Sequence, residues 1–91
     1  MPPFHVIWQR ITHHAGQTFT LVRGNEFTYD AHPTHIVRYE TGRVTVNIHI
    51  GQFEQAYALV PLHNVAQIHN LFAPSFIYAI LMDARIKQTD W

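Results

Sequence analysis

Arg43 to Ile50 reads RVTVNIHI. Val44, Val46, Ile48 and Ile50 take alternate positions, and Thr45, Asn47 and His49 take the others. Successive side chains of a strand point to opposite faces, so the pattern predicts a strand with one buried and one wet face. Just upstream, His35 to Glu40 is a second short run, joined through Thr41-Gly42. A two-residue loop there sets Tyr39 opposite Val44 and Val37 opposite Val46. It also sets Arg38 opposite Thr45 and Glu40 opposite Arg43. Apolar then meets apolar and charge meets opposite charge, as a hairpin requires.

Working outward, the first half reads as further strands. Phe4 to Thr12 is rich in β-branched and aromatic residues, and a turn at His13 to Gln17 separates it from Thr18 to Arg23. Gly24-Asn25 tolerates positive φ and suits a tight turn into Glu26 to Asp30, with Arg23 facing Glu26 and Val22 facing Phe27. Ala31 to Thr34 breaks the pattern at Pro33. The second half reads as helices. Phe53, Ala56, Tyr57 and Val60 fall on one face of a helix from Gln52 to Val60, which Pro61 ends. Asn64 to Phe72 is a short helix or ordered loop. Pro74 to Ile86 opens on a proline and is apolar nearly all round, as a central helix would be. Strands first and helices after predict an α+β fold. Its antiparallel sheet has four to five strands in the N-terminal half, and two or three C-terminal helices pack one face. Residues 1–91 form a single compact domain in this reading.

Composition narrows the function. Of the 91 residues 47% are hydrophobic, enough for a core and against disorder. Charged residues make up 13%, against about 25% in a typical soluble domain, and the net charge is zero. Few charges favour self-association, so a homodimer or protein partner is expected. There is no cysteine, which removes disulfides and thiolate chemistry and fits a cytoplasmic setting. No signal peptide and no run of about 20 apolar residues is visible, so no membrane association is expected.

Eight histidines stand out. Asp30, His32 and His35 could supply three ligands to a divalent transition metal such as zinc, with His13, His14 or His49 as a fourth. That spacing matches no strong zinc motif. His32-Pro33-Thr34 has the H-x-T form of two-histidine phosphoesterases, without the second copy such chemistry needs. No nucleophile elbow, phosphate loop or dinucleotide glycine pattern occurs. These observations lean away from an enzyme. The wet strand face offers Arg38, Asn47 and His49, with Arg43 at the turn and Arg10 and Arg23 on earlier strands. Such side chains can bond phosphates and base edges, and Tyr29 or Trp8 could stack on a base. On the terminal helix Phe76, Tyr78, Met82 and Ile86 form a second apolar side suited to a subunit interface. Three expectations result: a nucleic-acid-binding module on the sheet face, a metal protein at Asp30/His32/His35, and a dimeric adaptor using the last helix.

Overall fold

A computed structural model describes residues 1–39 and 45–91. The chain is an α+β fold with a four-stranded antiparallel sheet in the order β1-β2-β3-β4. Its elements are α1 (Phe4–His13), β1 (Phe19–Thr20), β2 (Glu26–His32), β3 (His35–Tyr39), β4 (Val46–His49), α2 (Ile50–Tyr57), a 3₁₀ turn (Val65–Ile68), α3 (Pro74–Leu81) and α4 (Ala84–Lys87).

The first element corrects the sequence reading: Phe4 to His13 is a helix. Phe4, Ile7, Trp8 and Ile11 recur at the spacing of one helical face, and that period outweighs their β-branched and aromatic character. Ile7 and Ile11 are fully buried. The Trp8 ring meets Phe53 at 5.7 Å and the Phe4 ring meets Tyr57 at 5.9 Å, so α1 joins the C-terminal helices. The Tyr29 hydroxyl donates to the Ile11 carbonyl, fixing α1 against the inward face of β2. Burial pushes that hydroxyl far above the ordinary tyrosine pKa; nearby Arg85 opposes the shift and Asp83 adds to it.

The first hairpin closes more widely than expected. Phe19 pairs with Phe27 and Thr20 with Glu26, so residues 21–25 form the loop. Both phenylalanines are buried, with rings 6.0 Å apart. That contact outweighs the tight turn at Gly24-Asn25. Gly24 still supplies a positive φ of 100°, and its N–H donates to the Leu21 carbonyl.

The central ladders explain the face each residue takes. β2 runs on to His32, and Pro33-Thr34 is itself the two-residue loop, pairing His32 with His35 and Ala31 with Ile36. β3 meets β4 with Ile36 opposite Ile48, Val37 opposite Asn47 and Arg38 opposite Val46. This is one residue from the expected register, and a one-residue slip exchanges the faces of a strand. Ile36 and Ile48 are fully buried as partners, each contributing about 1.5–3 kcal/mol of apolar burial. The expected Thr41-Gly42 loop, the Glu40–Arg43 pair and the Tyr39–Val44 pair lie outside the described residues.

The predicted long C-terminal helix is two. Asp83 takes an extended conformation, and its carboxylate accepts the Arg85 N–H, which ends α3 and starts α4. α3 is central, with Ile77, Ile80 and Leu81 fully buried. Arg85 then fastens α4 to the start of β1. It donates to both Asp83 oxygens, to Gln17 Oε1 and to the Thr18 carbonyl, and its guanidinium lies 4.0 Å from the Phe19 ring centroid. Trp91 packs at 5.3 Å from Tyr57 and donates to the Leu81 carbonyl. No helix among the described residues is long and apolar enough to cross a membrane.

Candidate nucleic-acid interface

Alternation along the three long strands sorts the sheet into two faces. Phe27, Tyr29, Ile36, Arg38 and Ile48 point inward and are buried. Thr28, Asp30 and His32 of β2, His35, Val37 and Tyr39 of β3, and Asn47 and His49 of β4 point outward, and each is exposed or half-buried. All contacts described above between helices and strands involve the inward face.

The ladder registers arrange the outward residues in rows. At one end Thr28 lies beside Tyr39. The middle row is Asp30, Val37 and Asn47. At the other end His32, His35 and His49 stand side by side on three adjacent strands. Four residues of strand separate the end rows, a distance of about 13 Å. The His32 and His35 rings stack at 4.6 Å with their planes 8° apart. His49 is the N-cap of α2: its Nδ1 accepts the Gly51 N–H at 3.0 Å, leaving Nε2 to carry the ring proton. At the far end Tyr39 is 41% exposed beside a depression of about 240 Å³ lined by Thr18, Glu26, Phe27, Thr28 and Tyr39. The Tyr39 hydroxyl is bonded to the Asp30 carboxylate, which holds its pKa above the ordinary value.

The six residues expected to contact nucleic acid do not form one surface. Asn47 and His49 lie on the outward face. Arg38 does not: it points inward, is 8% exposed, and its guanidinium sits 4.2 Å from the Phe76 ring centroid. The register shift places it there. Arg10 is on α1, donating to the Ile86 carbonyl and paired with Asp90 at 2.6 Å. Arg23 is exposed in the β1–β2 loop, and Arg43 lies outside the described residues. Among the described residues the outward strand positions therefore carry no lysine or arginine.

The metal expectation is also corrected. Among the described residues no group of three or more histidine and carboxylate side chains is placed to hold a metal ion. Asp30, His32 and His35 share a face, but parallel stacked imidazoles direct their in-plane lone pairs side by side rather than toward a common point. The terminal-helix surface changes too. Ile86 is fully buried, while Phe76, Tyr78 and Met82 are half-buried, with Phe76 between Arg38 and Phe27. These four do not make an open apolar side.

Sequence reasoning missed the row of three histidines and the exposure of Tyr39. The exposure of Tyr39 and the His32–His35 pair follow the β2–β3 register, which the Pro33-Thr34 loop sets, and a two-residue reading of that loop was the signal for them. His49 joins the row only through the β3–β4 register, with Ile36 opposite Ile48. Comparison of the chain with protein-family models, with curated proteins and with solved structures returned no match.

Proposed function

We propose that the chain is a non-enzymatic binding module that contacts single-stranded nucleic acid through the outward face of its sheet, in a cytoplasmic setting. The observation carrying this reading is the distribution of groups on that face. An exposed tyrosine beside a depression stands at one end, a stacked histidine pair at the other, and Asn47 and His49 lie alongside. Aromatic side chains offer stacking platforms for unpaired bases, and amide and imidazole groups bond base edges and phosphates. Duplex is the poorer fit, because its affinity rests on many lysine and arginine contacts to phosphate.

The test is fluorescence anisotropy of a labelled oligothymidylate at low salt. Tyr39→Ala should weaken binding by roughly 5–150-fold, the range for losing one stacked base. Asn47→Ala should weaken it less. Absence of binding by the wild-type protein across the pH range in which it stays folded would dispose of the reading.

A further inference from the structure

The outward face poses a difficulty that its own histidines can resolve. A nucleic-acid strand brings phosphates, yet the described outward positions carry Glu26 and Asp30 and no fixed cation. Imidazole is the side chain whose charge changes between about pH 5 and 8. Resting on the reading above, we propose that His32, His35 and His49 form a phosphate subsite for the bound strand, engaged on mild acidification.

The three imidazoles have different parts. His32 and His35 are stacked in parallel, so one ring can take a proton while its neutral neighbour faces it and disperses the charge. Either ring then presents charge-assisted N–H donors to a phosphate oxygen, roughly twice as strong as neutral ones. His49 acts without gaining charge. Its Nδ1 is committed to the Gly51 N–H, and a proton there would break the cap of α2, so it serves as a neutral Nε2–H donor. The charged and titratable groups sharing the described face are Asp30 in the adjacent row, Glu26 farther along β2, and Tyr39, whose hydroxyl is bonded to Asp30. α2, which leaves the sheet at His49, has Glu54 as its one charged residue.

The experiment measures oligothymidylate affinity near pH 7.5 and near pH 5.5 at constant low salt. The wild-type protein should bind about tenfold tighter at the lower pH, the size of one charge-assisted contact. Because the chain carries histidines outside this row as well, the control must remove as many elsewhere. His5→Gln/His63→Gln takes two exposed imidazoles off the far parts of the chain and should keep the tenfold ratio. His32→Gln/His35→Gln should abolish the ratio while retaining the wild-type thermal melt. His49→Asn keeps a capping side chain and should weaken binding equally at both pH values. Persistence of the ratio in His32→Gln/His35→Gln, or its loss in the control, overturns the subsite while leaving strand binding intact. No binding at either pH removes the face reading itself.

Discussion

Truncating Arg85 to alanine should cost about 1–2 kcal/mol of folding stability. The side chain joins three separated parts of the chain: Asp83 at the start of α4, Gln17 and Thr18 ahead of β1, and the Phe19 ring. Hydrogen bonds from a charged donor contribute about 1.5–3 kcal/mol where both partners are shielded, but those to Gln17 and Thr18 are exposed and contribute about 0.5–1 kcal/mol. Here the side chains of Arg85 and Asp83 are 34% and 22% exposed, so the ion-pair part is discounted to about 0–1 kcal/mol. Stacking on Phe19 adds about 0.5–1 kcal/mol. These contributions overlap, which sets the total below their sum. For a 91-residue chain the loss corresponds to a fall in Tm of roughly 5–15 °C. The pH dependence is a second readout. The hydrogen bond from Arg85 holds the Asp83 carboxyl below its ordinary pKa, against an opposing effect of burial. A carboxyl lowered on folding stabilises above its unfolded pKa, near about 3.9, and this stability drains away as pH falls through the lower folded value. The wild-type protein loses that contribution below about pH 4, whereas Arg85→Ala retains only the smaller part that the residue-85 backbone N–H supplies. Urea unfolding at neutral pH and again in acid should therefore show the gap narrowing. A neutral-pH difference under about 0.5 kcal/mol, or a gap that stays constant, refutes the reasoning.

Ile36→Ala should destabilise by about 2–5 kcal/mol and Val37→Ala by under about 1.5 kcal/mol, because only the first is fully buried; urea unfolding that reverses this order would mean a different β3 register. Tyr29→Phe should cost about 1–2 kcal/mol by orphaning the Ile11 carbonyl, with the wild-type Tyr29 hydroxyl silent in alkaline ultraviolet titration until the protein unfolds. Asp30→Asn should bring the Tyr39 titration back toward the ordinary tyrosine range, and an unchanged alkaline titration curve would show that the two side chains do not interact. Gly51→Ala puts a Cβ 3.2 Å from His49 Nδ1, so His49 resonances should shift by NMR while stability changes little, helix propensity offsetting the crowding.

The alternation in RVTVNIHI was sufficient to place Ile48 inside and Asn47 and His49 outside, since it depends only on the two-residue repeat of a strand. The faces of β3 were not legible in the same way. In HIVRYE, Val37 and Tyr39 form one apolar set and Ile36 with Arg38 a mixed one, so local pattern favours the wrong side. The outcome turns on Pro33-Thr34 closing the hairpin and on Ile36 finding Ile48, both pairings between strands. Arg38 follows its strand inward and rests its guanidinium on Phe76, a ring 38 residues away in sequence. In Phe4 to His13, residue preference and helical period disagreed, and the period agrees with the burial of Ile7 and Ile11. The candidate site inherits these limits. Asn47 and His49 could be placed by alternation, whereas the stacked histidines and the exposed Tyr39 required the register.

Arg10 reaches the Ile86 carbonyl across 76 residues of sequence, and it grips Asp90 as well. Helix α1 is thus held in part by residues that lie 76 or more positions further along the chain. A ten-residue helix is marginal by itself in water. Until β2, α2 and α4 have all formed, the buried side of α1 at Ile7, Trp8 and Ile11 is only partly sheltered, and a growing chain carries it as a greasy segment that a chaperone could hold. Loosening the hold of residues 86 and 90, for instance with Asp90→Ala, should bring part of that sticky condition back and expose α1 to proteases.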